Sequence, residues 1–343
     1  MNFSENSKSI FNQKFFIMKK FSFAVLSVLI YTFSSLLFSC GSGQQQKSNI
    51  PGDTLSGSIS MSGAFALYPV AVRWAEEFQK LHPNVRIDVS AGGAGKGMTD
   101  ALTRMVDLGM FSKGISEEEK AKGAFGIAVT KDAVFPTFNA KNPYLKEILT
   151  KGLTKQKFYD IFVDSKLKTW GQVLGGSQKD PLHVFVRSDA CGAAEMWAKY
   201  LNNQKQENLQ GTGINGDPGI ADAVRKDING IGFNNLAFVY DISTKTKYEG
   251  LEIIPIDINE NGIVDPEENF YGNSDSVIKA IKEGVYPSPP ARNLYFISAG
   301  KPTNPLVIAF LNWVLSEGQK YVNEAGYVHL TDEALKAEID KLK

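Results

Sequence analysis

Alternating strand-like and helix-like stretches from about residue 55 to residue 325 predict an α/β fold. Three junctions from strand to helix carry loops of Gly, Ala and Ser, the composition that lets backbone approach a ligand closely. No sequence repeat recurs at a fixed period.

The elements follow in order. Leu55–Ser60 reads as a strand and Tyr68–Leu81 as an amphipathic helix, with Trp74 and Phe78 on its apolar face. Val85–Ser90 alternates as a strand does, and Gly97–Met105 is expected to be helical. Asp107–Phe111 and Phe125–Val129 are short apolar strands, and Val134–Phe138 is extended. Thr154–Phe162 is a helix with Thr154 as its N-cap. His183–Arg187 is a strand, Gly192–Leu201 and Ile220–Asp227 are helices, and Gly230–Phe233 is a short strand or turn. Leu251–Ile256 is a strand, Ser274–Glu283 a helix and Asn293–Ser298 a strand. Helices near Pro305–Leu315 and Glu317–Ala325 close the pattern. Trp74, Phe78 and Trp313, at helical spacings, are expected in the core.

Lys and Arg number 37, as do Asp and Glu, over 343 residues of which 43% are hydrophobic. That balance excludes a disordered chain and argues against a nucleic-acid binder. The N-terminus has its own character. Met18-Lys19-Lys20 is followed by an apolar run, Phe21–Phe38, and then by Ser39-Cys40-Gly41. This is the order of a signal peptide, and a Cys just after the cleavage point resembles the lipobox of bacterial lipoproteins. Residues 1–39 are therefore expected to be a signal, starting at Met1 or Met18. Cys40 is the lipidated residue, and residues 40–52 are a polar tether. With Cys40 acylated, Cys191 is the one remaining thiol.

The three loops suit an anion. Ser60–Phe65 and Ser90–Gly97 each run from a strand into a helix, where unpaired N–H groups and the helix dipole favour negative charge. Ser62 adds a hydroxyl and Lys96 a charge. Arg187–Ala193 repeats the arrangement, with Arg187 able to grip an oxyanion bidentately. The spacing in Ser90–Gly97 is not that of a Walker loop.

These loops, together with Trp74–Phe78, Val106–Gly109, Leu153–Gln156, Asp160–Phe162, Trp170–Val173 and Gly230–Phe233, resemble the phosphate-binding component of the high-affinity bacterial phosphate ABC transporter, over roughly Thr54 to Leu330. The resemblance implies a type II periplasmic binding fold. Two α/β lobes, 53–131 plus 254–343 and 132–253, would be joined by two crossover strands and close on phosphate between them. It also implies a ligand set of Ser62, Ala64, Phe65, Gly95, Lys96, Ser112, Arg187, Asp189, Cys191 and Gly192. Members of that family usually carry hydroxyl residues where Ala64, Gly95, Cys191 and Ala193 stand. They often carry an acid near Ser112-Lys113, which could accept the proton of monohydrogen phosphate and reject sulfate. Lys113 has no acceptor, whereas Asp189 does.

Residues 257–268 match the calcium-loop pattern D-x-[DN]-x-[DN]-G-x₅-E. Asp257, Asn259, Asn261, the Ile263 carbonyl, Asp265 and Glu268 would be the ligands of a structural Ca²⁺. The loop falls near the expected crossover, where occupancy would stiffen a hinge. Cys191 at a helix start also admits a nucleophile, although no base is evident in the sequence.

The expected protein is thus an exported, lipid-anchored, monomeric solute-binding protein of the cell envelope, not an enzyme. It would deliver phosphate to an ABC permease in the inner membrane and have no organic cofactor. The alternatives are a receptor for another tetrahedral oxyanion, or a calcium-stabilised surface scaffold or adhesion lipoprotein.

Overall fold

The computed structural model describes residues 54–343, and each strand expected from the sequence lies in one mixed sheet. In chain order the first elements are β1 (Gly57–Gly63), α1 (Tyr68–Leu81), β2 (Val85–Ala91), α2 (Ala94–Leu102), β3 (Leu108–Phe111), α3 (Glu117–Ala121) and β4 (Ala124–Asn139). Then come α4 (Leu145–Lys151), α5 (Lys155–Phe162), α6 (Trp170–Leu174), β5 (His183–Arg187), α7 (Gly192–Tyr200), β6 (Thr212–Ile214), α8 (Gly216–Lys226) and β7 (Gly230–Asn235). The chain continues with β8 (Leu251–Ile253), α9 (Ser274–Lys282), β9 (Ala291–Ala299), α10 (Pro305–Leu315), α11 (Lys320–Glu324) and α12 (Asp332–Leu342). The strand order is β2-β1-β3-β9-β4-β7-β5-β6, with β8 also on β4. Signal, tether and Cys40 lie outside the described residues.

β4 decides the architecture. It is 16 residues long, and its neighbour changes part-way along. Ala124–Ala133 pair antiparallel with β9, and Val134–Phe138 pair antiparallel with β7. The sequence reads as two strands here because Thr130, Lys131 and Asp132 interrupt the apolar run. The strand is continuous because those polar groups find partners. Thr130 Oγ1 donates to the Val328 carbonyl at 2.9 Å, and Lys131 exchanges both backbone hydrogen bonds with Val328. Unpaired, they would each cost about 1–3 kcal/mol.

The same point divides the apolar side chains into two cores. Ile59, Trp74, Phe78, Met110, Val129, Leu294, Phe310 and Trp313 form one. Val134, Phe138, Phe162, Trp197, Phe233 and Ile253 form the other. As expected, Trp74, Phe78 and Trp313 are buried, with the Phe78 and Trp313 rings 5.4 Å apart edge to face. One boundary is corrected. Residues from 254 onward were expected with the first core, yet Ile254, Ile256, Tyr271, Val277, Ile281 and Tyr286 pack in the second. β8 pairs with the far half of β4, so the chain stays on that side until β9 carries it back.

Helix α2 starts at Ala94 rather than Gly97, which brings its N-terminus into the glycine loop. It lies so close to β1 and β3 that a Cβ on Gly97 would sit 2.4 Å from the Met110 carbonyl oxygen and 2.9 Å from Gly63 Cα. Gly97→Ala should therefore lower stability by roughly 2–3 kcal/mol in urea unfolding. Gly114→Ala, where a Cβ meets nothing within 4 Å, should leave it nearly unchanged. Equal effects at the two positions would contradict this packing.

Candidate anion-binding site

Strands β1 and β2 are parallel, so the loops that leave them emerge at the same end of the sheet. The Gly63 carbonyl ties them together by accepting from the amides of Gly92 at 2.9 Å and Gly93 at 3.0 Å. On the second core, β5 ends at Arg187, and its loop enters α7. The two sets of loops meet. The Gly95 amide donates to the Ala190 carbonyl at 3.2 Å, and a Cβ on Gly93 would lie 3.0 Å from Asp189 Oδ2. Gly192 abuts Ser112, leaving no room for a side chain. The N-terminus of α2 is thereby brought against the loop that leads into α7. The first N–H groups of each helix have no partner within it.

Arg187 is the centre of this meeting point, with its side chain 1% exposed. Nε donates to Asp189 Oδ1 at 2.8 Å, Nη2 donates to Asp189 Oδ2 at 2.5 Å, and Nη1 donates to Asp217 Oδ2. Burial works against its charge, but Asp217 and Asp189 outweigh that and hold it protonated well above its ordinary value. Burial likewise pushes Asp189 up, and Arg187 overrides it, so the Asp189 carboxyl stays below the usual range. A guanidinium has five N–H donors. Three are engaged here, which leaves one hydrogen on Nη1 and one on Nη2 for an acceptor. The half-buried Phe65 ring lies over the group, 5.6 Å from its carbon.

The remaining expected ligands divide. Phe65, Ser112, Arg187, Asp189, Cys191 and Gly192 are gathered at the meeting point. Ser62 is not available as a donor to a ligand. It donates to Asp100 Oδ2 at 2.6 Å, and Lys96 pairs with the same oxygen. Hydrogen bonds from Lys96 and then Ser62 hold the Asp100 carboxyl below its ordinary value. The amide of Ala64 is committed to the Met110 carbonyl at 2.9 Å, and that of Gly95 to Ala190. Lys113 reaches over the Phe111 ring, 6.0 Å from its centroid. Cys191 caps α7, its sulfur accepting from the Ala194 amide at 3.4 Å. Burial pushes its thiol up to about 12. It is neutral at physiological pH, so it is no activated nucleophile.

Asp217 and Asn235 were missed in the sequence. Asp217 is 1% exposed in the first turn of α8, and it accepts from the Asn235 amide at 3.1 Å and Asn235 Nδ2 at 2.7 Å. The sequence reading starts this helix at Ile220, which leaves Asp217 outside it, and an acid in a helix's first turn is in any case a common placement that points to no partner.

The loop 257–268 is closed by its own groups. Asp257 accepts from the amides of Asn261 and Gly262, and Glu268 accepts from those of Ile258, Asn259 and Asp265. Asp265 accepts from the side-chain amides of Asn259 and Asn261. Among the described residues, no three His, Cys, Asp or Glu side chains are grouped to hold a metal. The oxygen set of this loop depends on Asn and carbonyl groups as well. Its backbone bonds run to Thr150 and Leu153, on the second core, rather than to the strand crossing.

The sequence profile of the PBP superfamily domain matches residues 49–318. The phosphate-binding protein PstS of Bacillus subtilis is 28% identical over 315 residues, covering 90% of this chain and 94% of the relative. That of Pseudomonas aeruginosa is 28% identical over 316 residues, covering 84% and 88%. A solved structure from Clostridium perfringens, assigned as a phosphate ABC transporter substrate-binding protein and holding phosphate, matches with a TM-score of 0.65 at 22% identity, covering 80% of this chain and 100% of its own. An ABC-type phosphate transport receptor from Vibrio cholerae gives 0.57 at 18% identity, covering 79% and 100%.

Proposed function

The chain belongs to the PBP superfamily, is PstS-like in sequence and has the fold of a type II periplasmic binding protein, and from that premise we propose that it captures inorganic phosphate between its two cores and passes it to an ABC permease. The supporting observation is the buried Arg187 guanidinium, with two N–H groups to spare where the loops of both cores meet. Arg187 is flanked by two carboxylates, so the attraction comes from aimed donors rather than net charge. The spare N–H pair and the first amides of α7 are those donors. Asp189 Oδ2 would accept the proton of monohydrogen phosphate, which sulfate lacks. Closure of the cores on the anion and their reopening are the steps of capture and release. No bond of the ligand changes, and no nucleophile is needed.

Calorimetric titration tests this. Phosphate should bind one per chain, with sulfate at least about tenfold weaker. Arg187→Lys keeps the charge and removes the fork, at about 1.5–3 kcal/mol per charge-assisted bond. Phosphate binding should therefore weaken at least about tenfold. No binding of either anion would contradict capture, and equal binding would contradict the role of Asp189.

Residues 18–52 support an exported lipoprotein tethered to the membrane through Cys40. Cells fed an alkyne fatty acid should label the unaltered chain and fail to label Cys40→Ala. Labelling of both would contradict the anchor.

The loop 257–268 supports a structural Ca²⁺ held by Asp257, Asn259, Asn261, Ile263, Asp265 and Glu268. Saturating calcium should raise the melting temperature by several degrees, as expected for ligand linkage, and Asp257→Ala should abolish the rise. An unchanged melting temperature in the unaltered chain would contradict the site.

A further inference from the structure

The partners of Asp217 continue beyond the anion site. Asn235, which donates twice to Asp217, accepts on its own Oδ1 from Arg292 Nη2. The same Nη2 reaches Asp132 Oδ2 at 3.4 Å, and Asp132 Oδ1 accepts from the Leu236 amide at 3.3 Å. Asp132 and Arg292 are register partners on β4 and β9, beside the step where β4 changes neighbour from β9 to β7. Each of these side chains is buried. An unbroken line of contacts thus runs from Arg187 through Asp217, Asn235 and Arg292 to Asp132, ending where both long strands cross between the cores.

The geometry of Arg292 argues against a purely stabilising pair. Its Nε and Nη1 are buried without a hydrogen-bond partner. A stabilising pair would use the fork. Here one nitrogen holds both Asp132 and Asn235, which joins β9 to β4 and β7 at the cost of leaving two donors unsatisfied.

We propose that Asp217, Asn235, Arg292 and Asp132 act as positioning residues that hold the Arg187 guanidinium in register with the strand crossing, so that grip on the anion and the angle between the cores are coupled. This rests on the phosphate-capture reading for its ligand, while its structural half stands without one. Any movement of β9 against β4 displaces Arg292, and through Asn235 it displaces the oxygens that fix Arg187. Asp132→Asn cuts the line at its far end with an isosteric change. Burial pushes the Asp132 carboxyl up to about 6, so losing its charge costs less there than at an exposed carboxylate.

The test is the Arg187 Nε–H resonance in the ligand-free, ¹⁵N-labelled protein, assigned by its loss in Arg187→Lys. Asp132→Asn should shift it although Asp132 does not touch Arg187. Asn235→Asp keeps the acceptor toward Arg292, removes the side-chain donor toward Asp217 while the backbone amide stays, and places a carboxylate against the Asp217 carboxylate. It should shift the resonance as well and serves if the first variant folds poorly. Asn139→Ala is the control for general loosening. Its side chain is also buried on β4, but it bonds to the Val224 and Arg225 carbonyls, so the resonance should stay in place. Phosphate titration should then give affinities on the order of tenfold weaker for Asp132→Asn, within the usual range of coupling between sites. A resonance that ignores both cuts, or that moves equally with Asn139→Ala, overturns the proposal. If both cuts move the resonance but the unaltered protein binds no phosphate, the strut stands and the phosphate reading falls.

Discussion

A guanidinium removed from water needs a carboxylate partner, because an unpaired buried charge costs several kcal/mol. Arg187 meets that condition through Asp189 on its own loop and Asp217 at the start of α8. The rest of the site follows from this requirement. Asp189 fixes the loop that enters α7, and its Oδ1 also takes the Gly216 amide at 3.0 Å, binding that loop to the next helix. Asp217 in turn needs Asn235 from β7. Two of the five N–H groups remain for an acceptor.

The second constraint is β4. A strand shared by two cores makes them one sheet while leaving the loops at their facing ends free to differ in chemistry. One side contributes Phe65, Ser112 and the glycine loop, and the other contributes Arg187, Asp189 and the start of α7. Lys96, an expected ligand, pairs with Asp100, and Ser62, another, donates a hydrogen bond to it. Of the hydroxyls absent at Ala64, Gly95, Cys191 and Ala193, the one at 191 is replaced in kind, because the Cys191 sulfur caps its helix as a hydroxyl would.

Much of this was legible in the sequence. Strands with clean alternation, such as Val85–Ser90, and the capped helix at Thr154 were readable because their signals are local. β4 read as two strands because the Thr130 and Asp132 side chains find their partners in Val328, Leu236 and Arg292, about 100 or more positions away in the chain. The boundary at 254 failed for a related reason, since nothing local says which half of β4 the following strand will pair with. Within the site, Arg187 was visible at the end of a strand, and Asp189 was implied by the family resemblance. Asp217 was not, because its role is set by burial against a residue from another strand. Glycines 63 and 97 read as places where backbone nears a ligand, and the structure uses them to bring α2 close to β1 and β3.

The most direct test is to see where the anion sits. Crystals grown with arsenate, whose anomalous scattering marks it among lighter atoms, should show one strong peak within hydrogen-bonding distance of Arg187 Nη1 and Nη2. That peak should also lie beside the first amides of α7. A peak elsewhere, or an Arg187 fork that touches no anion at saturating arsenate, would contradict the account.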